Sequence, residues 1–200
     1  MIVTMLNEKG GVGKSTLADE LYSSFERTGV PIALMNVDAQ YGDAERGVPA
    51  NEAEVVIVDT PGTLPDNVSD MVKASDVIIV PTRPTVRNVE PTCRVISLVH
   101  EADPDAEIVV AMVGTTTRGV AGTRFAQWLR DWVSESGFEG HAHLCGIPSS
   151  EAVAAAEMQG VSIVDVVRKS PGRYAREIGP SVMALINYVR KLGGYDAEEL

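Results

Sequence analysis

Apolar residues in this chain follow two rhythms. Short β-branched runs without alternation occupy residues 2–6, 32–37, 55–58, 77–80 and 108–113. Such runs fit strands buried on both faces, as in a parallel sheet covered by helices. Between them the period lengthens. Leu17, Leu21 and Phe25 recur every four residues, with Ala18 and Tyr22 alongside. Phe125, Trp128, Leu129, Trp132 and Val133 keep the spacing of one helix face. Strands alternating with helices predict βαβ units, hence an α/β fold with a doubly wound, mostly parallel sheet flanked by helices. Beyond Pro148 the pattern turns helical. Ser149 or Ser150 is placed to cap a helix ending near Gly160, and Ser162 with Asp165 has capping-box spacing. Pro171-Gly172 then breaks the chain before a last helix over about 178–191. Residues 1–192 read as one domain, and the acidic stretch 193–200 as a flexible tail that frays.

Composition narrows the class. A chain of 200 residues buries about 70% of its unfolded surface, enough for one real core. At 44% hydrophobic and 22% charged residues, it is ordinary globular material. The opening apolar run is far short of the ~20 residues a membrane helix needs, and no signal-peptide pattern precedes it. Cys93 and Cys145 have no CxxC companion, which fits a reduced, cytoplasmic setting. The net charge of −11 disfavours a polyanionic partner, but it is unevenly spread. Between Asp165 and Lys191 lie six bases and two acids, so this segment carries +4 against −15 elsewhere.

The most specific chemistry is Asn7-Glu8-Lys9-Gly10-Gly11-Val12-Gly13-Lys14-Ser15-Thr16, between the first predicted strand and the first amphipathic helix. That is the context a phosphate-binding Walker A loop requires. Glycines let the backbone curl around phosphate oxygens, and their N–H groups with the helix N-terminus form an anion nest. Residues 10–16 are therefore the candidate phosphate-binding set. Lys14 is placed to reach the β- and γ-phosphates, and the Ser15 hydroxyl to ligate Mg²⁺. The run Val55-Val56-Ile57-Val58-Asp59 ends in a carboxylate, a Walker B pattern that makes Asp59 the second metal-binding candidate. Thr60-Pro61-Gly62 follows as a candidate switch.

The loop departs from the general GxxxxGK[ST] pattern. Glu8 stands where a first glycine is usual, and Lys9 comes five residues before Lys14. This Lys-Gly-Gly-x-Gly-Lys-Ser form resembles the ParA/MinD family of deviant Walker A ATPases. The resemblance implies ATP with Mg²⁺ as cofactors and a homodimer in the ATP-bound state. It gives Lys9 the role of reaching the nucleotide held by the other subunit, much as an arginine finger acts in trans. It also implies a catalytic aspartate after the second strand, matched here by Asp38 in Asn36-Val37-Asp38-Ala39-Gln40. Where the family usually shows Asp-x-Asp-Pro-Gln, this chain has Asn36 and Ala39, which predicts a slower reaction or a shifted Mg²⁺ shell. The family's Asn-Arg after the strand at 108–113 is also missing. Gly114-Thr115-Thr116-Thr117-Arg118 stands there, so adenine recognition rests on resemblance alone.

Most similar are the small ParA-type partition ATPases that lack an N-terminal helix-turn-helix arm, since Met1 begins almost directly in the first strand. The implied activity is plasmid or chromosome segregation. It would involve non-specific binding of nucleoid DNA in the ATP state and release when a ParB-like partner stimulates hydrolysis. Arg168, Lys169, Arg173 and Arg176 are the candidate DNA contacts, because screening over ~8 Å lets a local basic patch act despite the net charge. Two rivals remain. A membrane-positioning ATPase of the MinD type needs a basic amphipathic C-terminal helix, but the tail here is acidic. A metabolic P-loop enzyme needs a second polar pocket, which the sequence does not mark. The cysteines lack the Gly-rich surroundings of an iron–sulfur ligand and read as small buried hydrophobes. His141 and His143 have no third ligand nearby, so no metal site is assigned to them.

Overall fold

The computed structural model describes residues 1–37, 44–64, 66–115, 120–136, 142–174 and 176–200, with the backbone alone for 44, 120–122, 171 and 173. The elements run β1 (Ile2–Met5), α1 (Lys14–Arg27), β2 (Ile32–Asn36), β3 (Ala44–Gly47), β4 (Val55–Asp59), α2 (Val68–Lys73), β5 (Val77–Thr82), α3 (Val86–Ala102), β6 (Glu107–Thr115), α4 (Val120–Glu135), β7 (Ala142–Pro148), α5 (Glu151–Gln159), α6 (Ile163–Lys169), α7 (Pro171–Tyr174) and α8 (Gly179–Leu192). The sheet has the order β3-β2-β4-β1-β5-β6-β7. Every pairing is parallel except β2 with β3. The five apolar runs all form strands.

The unbroken apolar runs have a plain cause. Along β6, Val109 and Ala111 enter one core while Ile108, Val110 and Met112 enter the other. Because successive side chains point to opposite faces, a strand with a core on each side must be apolar at every position. The first core packs α1, α5, α6 and α8 against the sheet around Phe25, Leu17, Ile163 and Ile186. The second packs α2, α3 and α4 around Val72, Ile96 and Leu129. The chain winds from β1 toward the β3 edge, returns through β4 next to β1, and then winds outward through β5 to β7. The loop after β1 thus lies where the winding reverses, the place where open α/β sheets take their ligands.

β3 is a short antiparallel edge that the apolar pattern does not announce. It ends on Gly47 at φ +98°, where an added Cβ would sit 2.1 Å from the Ile32 carbonyl oxygen, so only glycine fits. In the helical C-terminal part, the Ser150 hydroxyl accepts from the Ala152 N–H at 3.2 Å, and Gly160 closes α5 in the left-handed conformation. Ser162 and Asp165 form the expected reciprocal capping box of α6.

The last eight residues depart from the expectation of a fraying tail. Glu198 is buried, and its carboxylate accepts from Ser24 Oγ at 2.5 Å, Arg27 Nε at 2.7 Å and Arg168 Nη2 at 3.0 Å. The Asn187 amide pairs with the Glu198 backbone in both directions, at 2.8 and 3.0 Å. Tyr195 sets its ring edge-on to Phe25 with centroids 5.2 Å apart. Acidity, which suggested a loose end, is what docks this segment on the arginines of α1 and α6.

Candidate nucleotide site

Residues 7–13 leave β1 and curl into the N-terminus of α1. Gly11 (φ +69°) and Gly13 (φ +102°) take left-handed conformations that residues with a Cβ rarely adopt. A Cβ added at Gly10 or Gly11 would meet nothing within 4 Å, so the loop faces open space. Asn7 braces its base: Nδ2 donates to the Pro81 carbonyl at 2.6 Å, and Oδ1 accepts from the Lys9 N–H at 3.0 Å. Lys14 is buried, and its ammonium donates to the carbonyls of Asn7 at 3.2 Å and Lys9 at 3.0 Å. Lys9 is exposed at the rim, while the Val12 side chain turns into the core. Gly10, Gly11, Gly13, Lys14, Ser15 and Thr16 line a cavity of 270 Å³ that Thr60 and Gly62 close from the β4 side.

Asp59 ends β4 and is buried. Its register partners are Met5 on β1 and Asn36 on β2, so Asn36 and Asp59 stand side by side on one face of the sheet. That face carries Val55, Ile57 and Leu34 toward α1. An aspartate at position 36 would set two carboxylates against each other here; the amide avoids that repulsion. Thr60 donates to the Met5 carbonyl at 2.6 Å, locking the turn after β4 to β1. A Cβ on Gly62 would lie 3.3 Å from the Gly10 Cα, so the candidate switch already touches the phosphate loop. The donor types fit a hard divalent cation: a hydroxyl from the exposed Ser15, which lines the cavity, and the carboxylate of the buried Asp59, next in the chain to the cavity-lining Thr60. Asp38, Ala39 and Gln40, like Thr116, Thr117 and Arg118, lie outside the described residues.

Two arginines missed by motif reading grip this loop. Arg83, just after β5, donates from Nε to the Gly11 carbonyl at 2.9 Å. Arg94 on α3 forms an ion pair with Glu8, its Nε 3.1 Å from both carboxylate oxygens. Glu8, which replaces the usual first glycine, thereby ties the loop to α3. Neither arginine belongs to a recognised motif, but Arg83 stands at the C-terminal end of a strand, and that position was the available signal.

The four candidate DNA contacts separate. Arg168 gives its guanidinium to the Glu198 carboxylate and, at 2.5 Å, to the Glu199 carbonyl. Lys169 and Arg176 are exposed, and the Arg173 side chain is not described. The cysteines behave as hydrophobes: burial pushes the Cys93 thiol up to about 11 and Cys145 to about 12. His143 stacks on Tyr188 at 3.9 Å, whose hydroxyl donates to Glu107 at 2.6 Å. Among the described residues there is no cluster of three or more metal-ligating side chains, and no helix is long and apolar enough to cross a membrane.

A glycine-lined anion nest at the switch point of a doubly wound sheet defines a P-loop nucleotide-binding domain. Residues 3–193 match the CobQ/CobB/MinD/ParA nucleotide-binding-domain model, and the chain belongs to that family. No curated protein matches it. Among solved structures, it is similar to an ATP complex of McdA from Cyanothece, with 13% identity and a TM-score of 0.70 over 100% of this chain and 98% of that one. It is also similar to the septum site-determining protein MinD of Pyrococcus horikoshii with Mg-ADP, with 15% identity and a TM-score of 0.67 over 96% and 97%. A third is a chain described as a plasmid partition protein of Borrelia burgdorferi bound to AMPPNP, with 13% identity and a TM-score of 0.61 over 84% and 98%. At these identities the likeness is one of fold.

Proposed function

We propose that this chain is an Mg-ATP-dependent, dimerising ATPase of DNA partition. It would bind DNA non-specifically when ATP-bound and leave it when a ParB-like stimulator triggers hydrolysis, in a cytoplasmic, nucleoid-associated setting. The observation that carries the proposal is the division of labour in the loop: Lys14 is buried against the loop carbonyls, while Lys9 is exposed at its rim. A buried ammonium suits the phosphates of the chain's own nucleotide. An exposed one suits a nucleotide held opposite, in a second copy.

The chemistry assigned to each group is modest. Backbone N–H groups of residues 10–16 and the Lys14 ammonium hold the β- and γ-phosphates and neutralise charge as it moves toward the leaving oxygen. Ser15 and Asp59 would hold Mg²⁺, which would supply further positive charge against the phosphates. Asp38 orients the attacking water and takes its proton. The new bond joins water oxygen to the γ-phosphorus, the bond to the β–γ bridging oxygen breaks, and ADP and phosphate leave. Gly62 against Gly10 is the contact through which a γ-phosphate would move the switch.

Retention on random-sequence DNA, measured with ATP and with ADP over a salt series, tests the partition reading. With Lys169, Arg173 and Arg176 engaged in each subunit, a dimer makes six phosphate contacts and the log–log salt slope approaches about −5. If Arg168 also lets go of Glu198, the slope steepens to about −7. Absence of binding in both nucleotide states removes the DNA reading and leaves the ATPase reading in place.

A further inference from the structure

Beside the 270 Å³ cavity of the phosphate loop lies a second one of 260 Å³, lined by Arg83, Gly114, Pro148, Ser149, Ser150 and Glu157 among others. Two hydrogen bonds join the two: Thr16 Oγ1 donates to Glu157 at 3.4 Å, and Arg83 Nε donates to the Gly11 carbonyl at 2.9 Å. Arg83 is the charged group at this junction, exposed and tethered at one end to the phosphate loop. Its Nη1 lies 3.9 Å from the place a Gly114 Cβ would occupy, and Ser149 Oγ lies 3.5 Å from the same point. Gly114, at φ +80°, therefore keeps a gap open between the guanidinium and the serine.

We infer that Arg83 contacts the bound nucleotide where its phosphates join its ribose. A ligand with its β- and γ-phosphates in the loop and its nucleoside in the second cavity must pass the guanidinium. A guanidinium has five N–H donors in a planar fork, and the one acceptor given to Arg83 among the described residues is the Gly11 carbonyl, met by Nε. The remaining donors suit an α-phosphate oxygen and the ribose oxygens, and their charge is permanent. This rests on the nucleotide reading above and adds to it a residue that the loop motif does not contain.

The test is equilibrium binding of ATP, ADP and inorganic pyrophosphate, each with Mg²⁺, to the whole chain and its Arg83→Ala variant. Pyrophosphate supplies the two phosphates that the loop takes and carries neither a third phosphate nor a ribose. Arg83→Ala should therefore weaken ATP and ADP alike, by about tenfold or more, and leave pyrophosphate within about threefold. Equal losses for all three ligands would mean that Arg83 only shapes the loop, and no loss would make it a bystander; either overturns the inference. Because Arg83 is exposed, an unchanged melting temperature should accompany the variant. A wild-type chain that binds none of the three ligands overturns the nucleotide reading itself, and this inference with it.

Discussion

Lys9 and Lys14 stand five residues apart in one loop, yet the first is exposed and the second buried. Burial of Lys14 and its bonds to two loop carbonyls fix its ammonium against the loop. Replacing it with alanine removes the one lysine charge among the described residues that line the cavity and should weaken ATP by about 100-fold, read by titration calorimetry. Binding within threefold of wild type would take Lys14 out of the phosphate site. Asp38→Ala should keep ATP binding and stop turnover, so that single-turnover assays find ATP retained; unchanged turnover would remove the catalytic assignment. The loop residues were legible because a glycine nest before a helix has a fixed spacing. Arg83 and Arg94 were not, since a guanidinium arriving from another element leaves no spacing to read.

At the scale of elements, α1 carries the site at its start and the C-terminal helices along its length. Glu20 on α1 is buried, and its carboxylate accepts the backbone N–H groups of Ile163 at 2.5 Å and Val164 at 3.0 Å. It thus caps α6 from outside, beside the capping box of Ser162. Burial nonetheless raises its pKa to about 7, against opposing pulls from those two N–H groups and the Arg27 charge. The folded state then holds the proton more tightly than the unfolded chain, whose value is 4.5. That contribution is complete below pH 4.5 and is lost as pH rises through 7, at a cost on the order of 3 kcal/mol. Glu20→Gln should flatten the fall in stability over this window, and the wild-type Glu20 carboxyl should titrate near 7 by NMR. A midpoint below 5 would contradict the assignment. Five strands were visible as apolar runs because two cores demand them. β3 and β7 were not: β3 is four residues long, and β7 is an edge whose Ala142-His143-Leu144-Cys145-Gly146 stretch is only partly covered. An edge strand needs apolar side chains on fewer positions, so its pattern fades.

Over the whole molecule, charge decides how the ends meet. The acidic tail and the basic cluster that includes Arg168 were legible separately, but the pairing of Glu198 with Arg168 across 30 residues and with Arg27 across 171 was not. Burial pushes the Glu198 carboxyl up, but hydrogen bonds from Arg27 and Ser24 and the charges of Arg27 and Arg168 outweigh it, so its pKa lies below the ordinary 4.5. The stabilisation is therefore present above pH 4.5 and lost as pH falls below it, opposite in sense to Glu20. Glu198→Gln should cost roughly 3 kcal/mol at neutral pH, because two arginines lose their carboxylate, and much less at pH 3. Urea unfolding at both pH values checks this; a cost that does not change with pH would mean that packing, not charge, holds the tail. The same substitution frees Arg168 and should steepen the salt dependence of any DNA binding.

In the proposed function, ATP joins two copies through Lys9. Sedimentation equilibrium of the 21.3 kDa chain with Mg-ATP, with Mg-ADP and as the Lys9→Ala variant with Mg-ATP measures it directly. Twice the monomer mass is expected for the wild type with ATP, and the monomer mass for the other two samples. A dimer formed by Lys9→Ala, or a wild-type chain that stays monomeric when saturated with ATP, would contradict it.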